Sequence, residues 1–426
     1  MYVIIVSSFG KLRQTGPARP TQKAGINLKQ YDALIVGAGY AGAVTARRLA
    51  EDGGKRVLVL ERRPHVAGNA YDCPDSAGVL IHQYGPHIFH TNDRRVFDYL
   101  SRFTSWRDYQ HTVVANIPGE SGTSSQRLQY PVPFNLDSLE IAFGPQEGKR
   151  LGEKLVAAYG AEKKVTILEL RHNPDPEIAA IADYVYEHVF VHYTMKQWGQ
   201  TPEEIDPATT ARVPVRLSRD DRYFQDAYQG MPAQGYTKMF ERMLDHPNIT
   251  VELGTDALKR LELADGVIKL DGEAFHGTVI YTGQADELFG FRFGPLPYRT
   301  LDFEFEIHGR MDGDNETEYF YQSHGTVNYT VDEDFTRITE FKYLTGQKTQ
   351  WETAIMKEYS RAYTGAEGEI PYYAIINPEN NALYAKYADL AAQYPNLHLL
   401  GRLAEYKYYN MDAIAARALA LTDTMI

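Results

Sequence analysis

The sequence predicts an α/β fold in which one doubly wound domain is interrupted first by a helical insert and then by an antiparallel β-sheet domain. Three observations carry this prediction. Residues 31–61 read as strand, glycine turn, helix, strand. From about residue 97 to 206, apolar side chains recur at three- and four-residue spacing, the period of helices lying on a core. From about residue 248 to 341 strand signals dominate, as in the alternation of Leu301, Phe303, Phe305 and Ile307 with polar partners.

Taken in order, Tyr31–Val36 is a short apolar run, Ala41–Ala50 a helix with Val44 and Leu49 inward, and Arg56–Leu60 a β-branched run ending at Glu61. Gly148–Tyr159 and Ile178–Tyr193 have helical spacing, whereas residues 111–134 alternate around Pro-Gly and Ser-Gly pairs as a hairpin would. Asn396–Leu400 and Ala404–Leu421 return to strand, turn and helix. The expected layout is a flexible leader over 1–30 and a doubly wound domain from 31–100, 235–285 and 396–426. A mainly helical domain would take 101–210, and an antiparallel sheet 211–234 with 286–395.

Of the 426 residues, 43% are apolar and 23% charged, as in ordinary soluble proteins. No run approaches the roughly 18 apolar residues that span a bilayer, and MYVIIVSSFG lacks the basic start of a signal peptide. Cys73 is the only cysteine, which fits a cytoplasmic protein and leaves no Cys-ligated structural metal site. A net charge of −12 argues against nucleic acid and requires any anionic ligand to be held by a few placed arginines. The 31 tyrosines include the pairs Tyr372-Tyr373 and Tyr408-Tyr409; most suit strands and core, and a minority suit a wet pocket.

Gly37-Ala38-Gly39-Tyr40-Ala41-Gly42 stands where the first strand meets its helix. Gly37 permits a tight turn, Gly39 lets backbone approach a pyrophosphate, and Gly42 lets helix and strand pack closely. The N–H groups at the helix start then face the anion, and Glu61 ends the second strand where an acid would accept ribose hydroxyl bonds. These features predict a Rossmann-like dinucleotide site. The stretch Arg62-Arg63-Pro64-His65-Val66-Ala67-Gly68-Asn69-Ala70 resembles the second glycine stretch of FAD-binding reductase- and oxidase-like proteins, with Ala67-Gly68 in place of Gly-Gly. That departure is mild unless φ at Ala67 is positive. The fold class is therefore α/β, a Rossmann-like FAD-binding domain interrupted by a helical insert and an antiparallel β-sheet domain.

Further blocks are more specific. They are Tyr84-Gly85-Pro86-His87-Ile88-Phe89-His90-Thr91, Tyr193-Thr194-Met195-Lys196-Gln197-Trp198-Gly199 and Arg212-Val213-Pro214-Val215-Arg216. Tyr223-Phe224, Tyr228-Gln229-Gly230-Met231-Pro232 and Gly235-Tyr236-Thr237-Lys238 follow. The last are Tyr298-Arg299-Thr300-Leu301-Asp302-Phe303 and Gly401-Arg402-Leu403-Ala404-Glu405-Tyr406-Lys407-Tyr408-Tyr409. In this order, from residue 31 to about 415, they resemble the bacterial UDP-galactopyranose mutases. The chain departs from that pattern at Ala233-Gln234 and at Asp334-Phe335 before Thr336-Arg337.

The resemblance implies an FAD-dependent isomerase that interconverts UDP-galactopyranose and UDP-galactofuranose, with N5 of reduced flavin attacking the anomeric carbon and no net redox change. It implies a role for Arg212 and Arg299 in gripping the diphosphate, helped by Tyr329, Tyr408 and Tyr223, and for Tyr193 in stacking on uracil. Phe224 would lie near the nucleotide, Trp198 on a closing loop, and His111 near the sugar. Around the cofactor it implies Gly37, Gly39, Tyr40, Ala41, Gly42, Glu61, Arg62, Gly68, Asn69, Arg402, Met411 and Asp412. His87 and His90 would flank the flavin ring, His90 with a catalytic part; the alternative is a turn histidine satisfied by backbone. Asn410 would cap the closing helix or lie by the substrate. The resemblance also implies a homodimer, an external reductant such as NAD(P)H, and a place in galactofuranose supply for cell-wall polysaccharide; it brings no metal. Two other readings stay open: an amine oxidase-like flavoenzyme, and a flavoprotein that binds a sugar nucleotide without turnover.

Overall fold

The computed structural model describes residues 2–7, 30–119, 127–199, 214–309, 318–349 and 351–426. Strand β1 (Tyr2–Ser7) is followed by β2 (Ala33–Val36), helix α1 (Tyr40–Glu51) and β3 (Val57–Leu60). The next pair, β4 (Val113–Pro118) and β5 (Arg127–Val132), leads into α2 (Pro145–Tyr159) and α3 (Pro176–Val185). One π turn, Tyr186–Phe190, joins α3 to α4 (Val191–Trp198). After β6 (Tyr228–Pro232) and α5 (Tyr236–Leu244) come β7 (Ile249–Glu252) and β8 (Thr278–Tyr281). Four long-range strands follow: β9 (Tyr298–Gly309), β10 (Thr326–Tyr329), β11 (Arg337–Glu340) and β12 (Glu352–Ala362). The chain closes with β13 (Leu397–Leu399) and α6 (Met411–Asp423).

Five strands form a wholly parallel sheet in the order β7-β3-β2-β8-β13. Its strands are short apolar runs because both faces are covered: Leu34 and Ile35 in β2 and all four residues of β3 are buried. On one face, α1, α5 and α6 bury Ala43, Val44, Leu49, Phe240, Met243, Ala415 and Leu419 in one core. Sequence-distant pieces therefore meet in a single doubly wound unit.

The larger sheet is mostly antiparallel, in the order β1-β9-β12-β11-β10-β4-β5. It corrects two expectations. The hairpin expected within the helical insert exists, with Val113 opposite Val132, but β4 pairs in parallel with β10 and so belongs to this sheet. Tyr2–Ser7, placed in the expected flexible leader, form a strand: β1 lies antiparallel to β9, Tyr2 opposite Gly309 and Ser7 opposite Glu304. A β-branched run, YVIIVS, meets the unpaired edge of a 12-residue strand, and satisfying that edge outweighs chain entropy. The helices α2 and α3 pack Leu151, Leu155, Ile178, Ile181 and Val185 against Val113, Tyr130 and Val132 of the hairpin.

Candidate functional site

The glycine turn between β2 and α1 is shaped for a closely approaching ligand. Gly37 has φ +104, and a Cβ there would lie 2.1 Å from Thr282 Oγ1. A Cβ on Gly42 would lie 1.9 Å from the Gly37 carbonyl oxygen, so helix and turn pack at a distance only glycine allows. Gly39 and Gly68 face each other, a Cβ on Gly68 reaching 3.0 Å from the Gly39 Cα. Ala67 has φ 74, so the Gly-Gly departure is not mild: an alanine occupies a left-handed conformation that costs about 1–2 kcal/mol. It is buried, and its N–H donates to Ala38 O at 3.0 Å.

Glu61 is held from two sides. Its Oε2 accepts from Ala38 N and its Oε1 from Arg63 N, each at 2.8 Å. Each oxygen keeps a second lone pair for a ligand hydroxyl. Arg63 donates through Nη2 to Asn69 Oδ1 at 2.8 Å and lies over the Tyr84 ring, yet its Nη1 is buried without a protein acceptor. The Tyr40 and Tyr236 hydroxyls are likewise buried with no hydrogen-bond partner among the described residues. Orphaned polar atoms around a glycine cradle fit a dinucleotide such as FAD. Arg62 points elsewhere: its side chain is 60% exposed and pairs with Glu287 Oε1 at 3.2 Å.

Beside the cradle opens a cavity of about 680 Å³. Asn69, His87, Arg402, Asn410 and Met411 line it, as do His90, His111, Tyr193, Tyr223, Phe224 and Tyr408. Burial pushes the His87 imidazole down to about 3, helped by His82. Its Nδ1–H donates to Gly85 O at 2.8 Å and its backbone N–H to His82 Nδ1 at 3.0 Å, so it is neutral and satisfied by its own turn. His90 stacks on Phe224, centroids 3.6 Å apart, and its Nδ1 meets Asp226 Oδ2 at 2.8 Å. Burial raises the Tyr193 phenol, keeping it protonated. Arg402 is fixed by Tyr372 O at 3.2 Å and Tyr409 O at 2.5 Å, and its guanidinium lies over the Tyr408 ring at 4.9 Å.

A family model for UDP-galactopyranose mutase matches residues 188–408, and one for an NAD(P)-binding Rossmann-like domain matches residues 35–103. The chain is 36% identical to a probable UDP-galactopyranose mutase of Klebsiella pneumoniae, over 92% of this chain and 94% of that protein. The chain belongs to the UDP-galactopyranose mutase family. It is 33% identical to the UDP-galactopyranose mutase of Mycoplasma pneumoniae, over 94% of this chain and 98% of that one. A dTDP-fucopyranose mutase of Escherichia coli is 34% identical, over 91% and 96%. Among solved structures, reduced UDP-galactopyranose mutase superposes with TM-score 0.63 at 16% identity, covering 93% of each chain. A putrescine oxidase superposes with TM-score 0.54 at 13% identity, over 93% and 99%, which shows a shared fold alone.

Mutase-family membership makes the cavity's cations the next question, and here expectation and geometry part. Arg212 lies outside the described residues, as does the side chain of Trp198. Arg299 is 7% exposed and is not among the cavity-lining residues. Its Nε donates to Gln197 O at 3.2 Å, and its Nη2 to Lys196 O at 3.1 Å and Ser360 Oγ at 3.2 Å. It thus caps the carbonyl end of α4, where a cation is favoured. Tyr329 also lies off the cavity, edge-on to Phe335 at 4.8 Å and beneath Arg127. Asn410 is the first residue before α6, but its side chain makes no capping bond, so the capping role is not realised. Asp412 stands in the first turn of that helix and does not line the cavity.

Arg337, which sequence reading passed over, lines the cavity together with Arg402. It stands directly across from Glu358 in the β11–β12 register and donates to Glu358 Oε2 through Nε at 3.0 Å and Nη2 at 2.8 Å. Burial opposes its charge, but Glu358, with Tyr193 and Tyr373, holds its pKa above the ordinary value. Asn328, Tyr372, Tyr373 and Asp226 line the cavity too. The signals were present: an opposite-charge pair on facing apolar strands, and the Tyr372-Tyr373 doublet. Among the described residues, no group of three or more His, Cys, Asp or Glu could hold a metal ion, and no helix is long and apolar enough to cross a membrane.

Proposed function

We propose that the chain interconverts UDP-galactopyranose and UDP-galactofuranose, with FAD as its cofactor. The observation that supports this most is one cavity lined by a nucleobase-sized aromatic, Tyr193, a charge-assisted arginine, Arg337, and the residues beside the glycine cradle. Gly37, Gly39, Tyr40, Ala41, Gly42, Glu61, Gly68, Asn69, Arg402 and Met411 would hold the cofactor. When bound there, reduced flavin would supply nucleophilic chemistry at N5 toward the anomeric carbon, so that the ring could change size without net redox change.

The protein's own part is placement and charge. Tyr193 stacks on uracil, with Phe224 and Tyr223 alongside. Arg337 opposes the charge of the departing diphosphate, its Nη1 having no acceptor among the described residues while Nε and Nη2 are pinned by Glu358. Arg212 and Tyr408 join that grip in this reading. His87, neutral and backbone-bound, presents Nε2 as an acceptor beside the flavin site, and His90 is oriented by Asp226. An external reductant such as NAD(P)H, a homodimer, and cytoplasmic galactofuranose supply for cell-wall polysaccharide rest on the family alone.

The test is chromatographic. Purified protein reduced with dithionite is incubated with UDP-galactofuranose, and products are resolved by HPLC. UDP-galactopyranose forming only with reduced flavin supports the reading. Because a dTDP-fucopyranose mutase is 34% identical, a dTDP-linked fucose is run in parallel. Turnover of that sugar alone would reassign the substrate, and none of either would return the chain to the oxidase or binding-protein readings.

A further inference from the structure

Among the described residues, His111 has one side-chain hydrogen-bond partner, and that partner bears on which of its nitrogens carries the proton. Its Nδ1 lies 3.1 Å from the hydroxyl of Tyr109. Tyr109 does not line the cavity, whereas His111 does, at 4% exposure. Burial raises the Tyr109 phenol well above its ordinary range, so it keeps its proton. Burial, then the neighbouring Arg337, His90 and His324, lower the His111 imidazole to about 3, so the ring is neutral. Among the described residues, the Tyr109 hydroxyl has no acceptor other than His111 Nδ1. A phenol O–H is a stronger donor than a neutral imidazole N–H, and an imidazole nitrogen a stronger acceptor than a phenol oxygen, so Tyr109 donates and Nδ1 accepts. The proton of the neutral ring then sits on Nε2.

We propose that Tyr109 is a positioning residue that locks His111 as an Nε2–H donor to an acceptor oxygen of the sugar nucleotide. The proposal rests on the nucleotide-sugar reading of the cavity. His111 is built into place: its carbonyl accepts from Tyr223 N at 2.7 Å, and its ring lies 5.8 Å from Tyr223 and 6.0 Å from Phe224. Tyr109 is equally confined. The Arg107 guanidinium lies 4.9 Å over its ring, and a Cβ on Gly325 would come within 2.7 Å of its hydroxyl. Such a donor accepts a hydrogen bond from nothing and rejects a ligand that offers only an N–H or O–H there. The acceptor is a sugar hydroxyl oxygen or a phosphate oxygen.

The experiment uses the full-length flavoprotein. Long-range ¹H–¹⁵N spectra of ring-labelled histidine, assigned with His111→Gln, read the tautomer directly and need no turnover. Nε2–H alone is expected in the wild type, and a mixture in Tyr109→Phe; Nδ1–H in the wild type overturns the proposal. Dissociation constants for UDP and UDP-galactose are measured for wild type, Tyr109→Phe, His111→Gln and the double variant. Tyr109→Phe should weaken binding about three- to tenfold, the worth of one neutral hydrogen bond, and have no effect in the His111→Gln background. Weakening of UDP-galactose alone assigns the acceptor to the sugar, and weakening of both assigns it to the diphosphate. Equal weakening in both backgrounds reveals a merely structural role for Tyr109 and overturns the proposal. Failure to bind either nucleotide in the wild type, with the tautomer as expected, would instead sink the reading of the cavity.

Discussion

Replacing Arg337 by methionine removes a cation from the cavity wall and strands a carboxylate. Glu358 has no side-chain exposure, its Oε2 takes both bonds from Arg337, and its Oε1 is buried with no hydrogen-bond partner among the described residues. Breaking a buried pair on one side leaves an uncompensated charge, at about 3–5 kcal/mol. Arg337→Met should therefore lower the unfolding free energy by about that much. Ligand binding loses something separate: a charge-assisted hydrogen bond to diphosphate is worth about 1.5–3 kcal/mol, or about 10- to 150-fold in Kd. The two losses are told apart by Arg337→Met with Glu358→Gln. That double variant removes the stranded charge and should recover most of the stability in urea titration. Its affinity for UDP by titration calorimetry should stay as weak as that of Arg337→Met. Recovery of UDP affinity together with stability would refute the argument, since Arg337 would then serve the sheet and not the ligand.

Acidification offers a second check. His82, His87 and His111 are pushed by burial from 6.5 to about 3. Between those values the unfolded chain binds protons that the folded one does not, so stability present at neutral pH is lost as pH falls below 6.5. Each should contribute a slope approaching about 1.4 kcal/mol per pH unit, and urea titrations near pH 5 on His111→Gln should show one such contribution missing. Gly42→Ala sets a methyl 1.9 Å from the Gly37 carbonyl oxygen, and the purified protein should lack the visible absorbance of flavin. Tyr193→Ala should weaken UDP binding by about 1–3 kcal/mol, the worth of one base stack. Tyr193→Phe, which keeps the ring, should bind UDP like the wild type.

The doubly wound unit was legible because its signals are local. A glycine turn, a helix of three turns and two apolar strands specify themselves within residues 31–61, and the structure has them at Ala33–Val36, Tyr40–Glu51 and Val57–Leu60. Strand pairing is not local. The alternation in residues 113–132 announces a hairpin, but nothing within it says that β4 will lie parallel to Thr326–Tyr329, about two hundred residues on. The same holds for Tyr2–Ser7, whose apolar run reads as a poor signal sequence until β9 presents a bare edge for it. Ala67 is another kind of miss: its residue type suggests an ordinary conformation, and only the turn built around it enforces φ 74.

The two arginines show what a motif can and cannot specify. Arg299 sits in a block shared in order with the mutase family, and that context made it the obvious cavity cation. Its position in the family pattern says only that something needs a guanidinium there. The structure supplies a need that has no ligand in it: the carbonyls of Lys196 and Gln197 end α4, and Gly199 follows with φ 67, so close that a Cβ would meet Arg299 Nη1 at 2.6 Å. A fork of donors with Arg geometry satisfies that helix end where lysine would not. Arg337 carries a weaker motif, since the Asp334-Phe335 departure lies just before it, yet it faces the cavity. What distinguishes it in the sequence is physical: a cation within the strand Arg337–Glu340, where Ile338, Thr339 and Glu340 are all buried. A charge so placed needs a buried counter-charge, and Glu358 lies directly opposite. Searching apolar strands for charges that demand partners would have found this pair, because desolvation cost, unlike motif position, says where a charge must be compensated.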